Sequence, residues 1–116
     1  GVRNIATLKS LAKALGAAVG ASRVAVDDGK FARAQQIGAT GKTVTATTYM
    51  AVGISGAVQH LQGIKDCRHV IAVNRDGGAP ILGRADFSVI GDAEGVMQAL
   101  LVLISEAQSK AKGEAA

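Results

Sequence analysis

Three short apolar runs limit the folds that this 116-residue chain can adopt. They occupy residues 49–54, 69–74 and 85–90, and runs of this length are typical of buried strands. A helical pattern lies between the first two runs, at residues 56–62, and a longer one follows the third, at residues 93–109. Because strands that alternate with helices form parallel βαβ units, the sequence predicts an α/β fold. We expect a doubly wound, mostly parallel sheet with helices on both faces, and the first run as a central strand.

Residues outside these runs predict the remaining elements. Apolar residues at helical spacing between Ile5 and Leu15 predict a helix that ends at Gly16. Residues 17–21 predict another buried strand, and residues 43–48 predict a short or edge strand.

Two polar residues are predicted to begin helices, since short oxygen-bearing side chains favour the N-cap. Ser55 is expected at the start of the helix at 56–62, and Asp92 at the start of the last helix. We expect one domain over residues 1–109 and a frayed tail over residues 110–116.

Polar or small residues lie at the ends of four of the predicted strands. They are Ser22 and Arg23, Ser55 and Gly56, Asn74, and Asp92. In open α/β sheets, ligands bind outside the carboxyl ends of the strands. A helix start at Ser55 would offer backbone N–H groups to an anion. The sequence therefore predicts a site for a polyanionic nucleotide.

Two other kinds of chemistry, nucleotide hydrolysis and serine hydrolysis, have weak support in the sequence. Residues 38–43 resemble the end of a phosphate-binding P-loop, but Gln36 stands where the motif needs glycine. Residues 53–57 resemble a nucleophile elbow, but Ala57 replaces its last glycine. No nucleophile–base pair or set of metal ligands is apparent, so we expect no catalytic residue and no metal site. The predicted role is to hold a cofactor that carries the chemistry.

Composition argues against two classes of partner, nucleic acids and membranes. The net charge of +4 is spread along the chain, and aromatic residues make up only 3%. Most single-strand nucleic-acid binders stack bases on aromatic side chains, so nucleic-acid binding is not expected. The longest apolar stretch is far shorter than the ~20 residues that span a bilayer, so no membrane insertion is expected either.

Several motifs together resemble one known family. They lie at residues 15–23, 36–42, 52–60 and 72–76, and the most specific is Ser-Gly-Ala-Val-Gln-His at residues 55–60. This pattern resembles the C-terminal FAD-binding domain of the electron transfer flavoprotein alpha subunit. The resemblance covers about residues 8–104.

The resemblance implies a nucleotide-binding fold like that of deoxyhypusine synthase, with one bound FAD. It implies an electron carrier without its own organic substrate, as used in fatty acid β-oxidation. It further implies a heterodimer with the beta subunit, electrons received from acyl-CoA or related flavin dehydrogenases, and delivery to a quinone oxidoreductase. A cytoplasmic or mitochondrial matrix location follows from it. The alternative is a non-redox nucleotide-binding or structural module of the same fold.

The resemblance also implies the residues that contact FAD. Arg23 would lie near the isoalloxazine, Thr40 would bond flavin N5, and His60 would reach the pyrimidine side. Asn74 and Asp92 would hold the ribityl and adenosine end. The full set is Ser22, Arg23, Ile37, Gly38, Ala39, Thr40, Ser55, Gly56, Ala57, Val58, Gln59, His60, Asn74, Asp92 and Ala93.

Two departures from the family pattern are visible. Ala39 stands where the family loop usually has glutamine, which removes one polar contact near the flavin. The sequence begins at Gly1, just after the expected position of a glycine–glycine–arginine turn. We therefore expect the first strand of the domain to be missing, through either a natural start or a proteolytic cut.

Overall fold

A computed structural model describes residues 4–38, 41 and 43–115, with residues 110–115 as backbone only. Its helices are α1 (Ile5–Leu15), α2 (Arg23–Asp27), α3 (Val58–Gly63), α4 (Pro80–Arg84) and α5 (Ala93–Ala115). Its strands are β1 (Thr48–Val52), β2 (His69–Asn74) and β3 (Phe87–Ile90), and a short 3-10 turn spans Arg33–Gln35.

The three strands form one parallel sheet in the order β1-β2-β3. Thr48 pairs with His69 at one end of the first ladder and Val52 pairs with Val73 at the other. The predicted α/β fold with a parallel sheet is confirmed. The prediction of β1 as a central strand is wrong, because β2 takes that position among the residues that the structure describes. The expectation of a missing first strand stays a prediction.

Alternate residues of the strands face two separate apolar cores. Ala51, Val70 and Ala72 belong to one core, which α3 and α4 cover through residues such as Leu61 and Ile81. Val52 and Val73 belong to the other, where they meet Leu11 of α1 and Met97 of α5. Helices therefore cover both faces of the sheet, as predicted.

Two predicted helix ends are confirmed. Gly16 follows α1 with φ of 67°, the left-handed conformation that glycine adopts without steric cost. Asp92 precedes α5, and its Oδ2 accepts a hydrogen bond of 3.2 Å from the N–H of Gly95. This bond satisfies one of the unpaired amides at the helix start.

Two predicted strands do not form. In the stretch at 17–21 only the buried Ala21 makes a bridge, to Gln36, whereas residues 17 and 18 are exposed. In the stretch at 43–48 only Thr48 joins β1. There the N–H of Val44 donates instead to the carbonyl of Gly63, at the end of α3.

Two helix predictions are corrected, and one helix was missed. Ser55 does not cap α3, because the chain turns at Gly56, with φ of 89°, and the N-cap is Ala57. Helix α4 was not predicted, although proline at a first helical position is a recognised start signal. Helix α5 continues beyond the predicted end at residue 109. The division into a domain and a tail stays a prediction.

Candidate functional site

A cleft of about 660 Å³ lies at the carboxyl ends of β1 and β2. This volume is within the usual range for small-molecule sites. The loop of residues 53–57 after β1 forms one wall, and residues 20–25 at the start of α2 form another. Asn74, the last residue of β2, lies at its base. The cleft is therefore at the edge of the sheet where α/β proteins bind ligands.

Most of the predicted site residues line this cleft. They are Ser22, Arg23, Ile37, Ser55, Gly56, Ala57, Gln59, His60 and Asn74. Residues that are distant in sequence meet here because the segment around Ala21 pairs with Gln36, beside the end of β1. Ser22 also caps α2, since its Oγ accepts a hydrogen bond of 3.3 Å from the N–H of Ala25.

The other predicted residues lie elsewhere. Gly38 is buried behind the cleft wall, against the backbone of Gln59 and His60, and the side chain of Val58 is exposed. Asp92 and Ala93 lie at the start of α5, where Ala93 packs into the core beside α1. Ala39 and Thr40 lie outside the described residues. A ligand role stays a prediction for these six residues and equally for the nine that line the cleft.

Several lining residues were not predicted. They are Leu8, Gly20, Ala21, Val24, Ala25, Asp28, Lys30, Phe31, Val52, Gly53 and Ile54. Most belong to α2 or its flanks, and a helix of five residues is too short to give a periodic pattern. Helix α2 could have been predicted from Ser22, because serine is a favoured N-cap residue and the short stretch that follows it contains apolar residues.

Asn74 connects the loop after β1 to the end of β2. Its Nδ2 donates to the carbonyl of Ile54 at 3.0 Å, and its Oδ1 accepts from the N–H of Asp76 at 2.9 Å. The residue is only 9% exposed, so both bonds lie where water competes poorly. Asn74 therefore fixes the loop after β1 against the end of β2.

Gly38 and Gly63 allow two backbones to touch behind the cleft. A Cβ atom on Gly38 would lie 2.2 Å from the carbonyl oxygen of Gln59 and 2.7 Å from Cα of His60. A Cβ atom on Gly63 would lie 2.6 Å from the amide nitrogen of Gly38. Only glycine fits at both positions, and this contact sets where α3 and His60 lie.

His60 is the most distinctive side chain of the cleft. It is only 5% exposed, and its Nε2 lies 2.8 Å from the hydroxyl of Tyr49. Its Nδ1 is buried and has no hydrogen-bond partner among the residues that the structure describes. A buried polar atom without a partner is uncommon and needs an explanation. Burial lowers the pKa of His60 below its usual value of 6.5, so the imidazole is neutral at neutral pH.

Two cations and one acidic residue lie along the cleft. Arg23, Lys30 and Asp28 are exposed members of its lining. The Nε atom of Arg23 is 3.6 Å from Asp27, which also pairs with Arg33 at 3.0 Å. Exposed pairs of this kind contribute little to stability, so Arg23 can turn towards an anionic ligand at small cost.

The lowered pKa of His60 predicts a pH-dependent stability. Protonation of His60 favours the unfolded state, so the free energy of unfolding is highest above pH 6.5. It falls as the pH decreases towards the lower pKa of His60 in the folded state. The expected slope approaches about 1.4 kcal/mol per pH unit. Urea unfolding of the full-length protein between about pH 7.5 and pH 5.5 measures it.

The matched variants for this prediction are His60→Gln and His69→Gln. The first removes the buried imidazole and should flatten the pH dependence, whereas the second removes an exposed histidine and should retain it. Equal slopes in wild type and His60→Gln would contradict the assignment to His60.

Neither a metal site nor a membrane span is found in the part of the chain that the structure describes. No group of three metal-binding side chains occurs there, and no helix there is long and apolar enough to cross a bilayer. Cys67 is buried, and its Sγ donates to the carbonyl of Val44 at 3.3 Å.

Comparison with known proteins identifies the family. The family described as "Electron transfer flavoprotein FAD-binding domain" matches residues 1–65 of this chain. The chain belongs to this family. Electron transfer flavoprotein subunit alpha of Chromohalobacter salexigens is 50% identical over 115 residues, or 99% of the chain. The mitochondrial subunit alpha of Arabidopsis thaliana is 48% identical over 105 residues, or 90% of the chain.

These relatives are longer than the present chain. The aligned region spans 27% of the Chromohalobacter protein and 29% of the Arabidopsis protein. The resemblance to the electron transfer flavoprotein alpha subunit is confirmed. The cleft residues up to His60 lie within the segment that matches the FAD-binding domain family.

Proposed function

We propose that this chain is the FAD-binding part of an electron transfer flavoprotein alpha subunit. The observation that carries the proposal is the cleft at the carboxyl ends of β1 and β2, in which the Nδ1 of a nearly buried His60 has no partner among the described residues. Within an electron transfer flavoprotein family, a flavin nucleotide is the ligand that such a cleft would hold.

The residues fit a flavin nucleotide in three respects. Lys30 supplies positive charge for a diphosphate, and Arg23 supplies positive charge for the ring system. The loop at 53–57 contains Gly53 and Gly56 with positive φ, and so brings backbone close to a ligand with no side chain between them. His60 offers a buried nitrogen that lacks a partner among the described residues, which suits a polar ring edge.

The predicted site residues, nine of which line the cleft, each receive a role in this proposal. Ser22, Arg23 and Ile37 lie beside the flavin ring system, with Gly38, Ala39 and Thr40 in the adjoining loop. Residues 55–60 surround the cofactor, and His60 meets the pyrimidine edge. Asn74, Asp92 and Ala93 hold the ribityl and adenosine end.

The bound flavin would accept and release single electrons, and the protein would supply charge and hydrogen bonds. Arg23 and a donor at His60 would stabilise negative charge on the ring, which raises the reduction potential. The apolar side chains of Ile37 and Ile54 would exclude water and so strengthen these interactions. No side chain of this chain needs to act as nucleophile or general base.

The partners follow from the family rather than from the cleft. The relatives are named as alpha subunits, which supports a heterodimer with a beta subunit. We propose acyl-CoA or related flavin dehydrogenases as donors and a quinone oxidoreductase as acceptor. The matching bacterial and mitochondrial relatives support a cytoplasmic or mitochondrial matrix location.

The experiment is a redox titration of the full-length alpha subunit purified with its beta subunit. We expect a yellow complex that releases FAD on denaturation and exchanges single electrons with a dye. Arg23→Ala should lower the one-electron reduction potential by about 20–60 mV, since about 60 mV corresponds to 1.4 kcal/mol and Arg23 is largely exposed.

The chain offers a matched control in Arg33→Ala. Arg33 is as exposed as Arg23 and also pairs with Asp27, but it does not line the cleft. Its removal should leave the potential unchanged. A colourless complex that takes up no added FAD would refute the proposal, and FAD that exchanges no electrons would favour the non-redox alternative.

A further inference from the structure

The contact between Tyr49 and His60 determines which nitrogen of the imidazole carries the proton. Tyr49 lies on β1 and His60 on α3, so the hydrogen bond of 2.8 Å joins the sheet to the helix that covers it. The two rings are tilted by 56°, with centroids 6.0 Å apart, which leaves the hydroxyl and Nε2 as the polar contact between them.

The direction of this hydrogen bond follows from the available donors. A tyrosine hydroxyl has one proton, and a neutral imidazole has one N–H and one acceptor nitrogen. The Tyr49 hydroxyl has no other partner among the described residues. If Nε2–H donated to the hydroxyl, the phenolic proton would lack an acceptor in a partly buried position, which is costly. The hydroxyl therefore donates to Nε2.

The protonation states agree with this direction. Burial, followed by the nearby Cys67, raises the pKa of Tyr49, so its hydroxyl remains protonated and able to donate. Burial lowers the pKa of His60, so the imidazole stays neutral and Nε2 can accept. The single imidazole proton must then be on Nδ1, the buried nitrogen without a partner among the described residues.

We propose that Tyr49 is a positioning residue that holds His60 in the Nδ1–H tautomer and so makes it a hydrogen-bond donor to the ligand of the cleft. The ligand group that it selects is a carbonyl oxygen or an anionic ring atom. A ring nitrogen that carries a proton would meet a second donor and be disfavoured. The proposal rests on the proposed function for the identity of that ligand, but the tautomer itself does not.

The tautomer is measured directly by 15N NMR. The full-length alpha subunit is labelled with 15N-histidine and examined with its beta subunit at about pH 7.5, before and after FAD is removed. His60→Gln identifies the His60 signals. We expect Nδ1 to carry the proton in wild type, and the Nε2–H tautomer to gain population in Tyr49→Phe. That variant removes one oxygen and retains the aromatic ring, so the fold should persist.

A double-mutant cycle on FAD affinity tests whether Tyr49 acts through His60. Tyr49→Phe alone should weaken FAD binding about 3- to 10-fold, the usual value of one hydrogen bond. In a His60→Gln background the same substitution should cost less than 2-fold, a difference that a general loss of packing would not produce.

Three outcomes would overturn the proposal. In the first, wild-type His60 carries its proton on Nε2 or is doubly protonated. In the second, Tyr49→Phe does not change the tautomer, and in the third, it weakens FAD binding equally in the wild-type and His60→Gln backgrounds. A complex that never binds FAD would instead refute the proposed function, because the tautomer can still be measured in it.

Discussion

Gly38→Ala is expected to destabilise the protein by about 3–5 kcal/mol, the largest effect of any single change discussed here. Two costs add at this position. Gly38 has φ of 79°, where a side chain is strained, and its new Cβ would lie 2.2 Å from the carbonyl oxygen of Gln59. The neighbouring atoms belong to the backbone of α3, so no side chain can rotate away. The helix must move, and His60 moves with it.

The chain offers a close control in Gly29→Ala. Gly29 has the same φ of 79°, but no atom of the described residues other than Gly29 and its chain neighbours lies within 4 Å of a Cβ built there. This variant should cost only about 1–2 kcal/mol, the strain of the left-handed conformation. Urea unfolding of the full-length protein measures both, and FAD affinity should fall only in Gly38→Ala. Equal losses of stability in the two variants would show that the contact with α3 is unimportant.

Asn74→Ala is expected to destabilise the protein by about 2–3 kcal/mol and to weaken FAD binding at least 10-fold. The substitution leaves the carbonyl of Ile54 and the N–H of Asp76 without their side-chain partner. A buried group that loses its partner costs about 1–3 kcal/mol, and the carbonyl of the half-buried Ile54 contributes more here than the N–H of the exposed Asp76. The loop after β1 then loses its attachment to β2, and the cleft loses one fixed wall. Chemical unfolding and the recovery of free-flavin fluorescence measure the two effects.

Two further variants test whether the effects of Asn74→Ala come from its bonds between the loop after β1 and β2. Asn74→Asp keeps the acceptor for the N–H of Asp76, but it places a carboxylate against the carbonyl of Ile54 and adds negative charge where the ribityl end of FAD is proposed to bind. It should retain more stability than Asn74→Ala and still bind FAD poorly. Asn4→Ala removes the cap of α1, whose Oδ1 accepts from Thr7. It should cost about 1 kcal/mol without loss of FAD. An Asn74→Ala protein as stable as wild type would refute the connecting role.

The fold class could be predicted from sequence because it depends on periodicity. The apolar run at residues 69–74 predicted the largely buried strand β2, and the run at residues 85–90 predicted β3, although Phe87 and Ile90 of β3 are exposed. Asp92 and Gly16 act through their own local geometry, which is why both helix ends were predicted correctly. Predictions failed where tertiary contacts compete with local preference, as at Val44, whose N–H bonds to the end of α3.

The site could be predicted only in part. Ser22 and Asn74 were found because each lies at the end of a predicted strand, and ligands bind at such ends. Lys30 and Phe31 were missed, since their place in the cleft depends on a short α2 that sequence periodicity does not reveal. The partnership of Tyr49 with His60 was also missed, because residues eleven apart on a strand and a helix meet only after the helix packs.

The sequence by itself determined the class of this protein and the family to which it belongs. Alternating apolar runs require a parallel α/β sheet, and the motif at residues 55–60 carries the family resemblance. Only the tertiary structure decided which residues share the cleft and how His60 is held there. Local patterns act over a few residues, whereas the contact of Gly38 with α3 and the bond from Tyr49 to His60 depend on how separate elements pack.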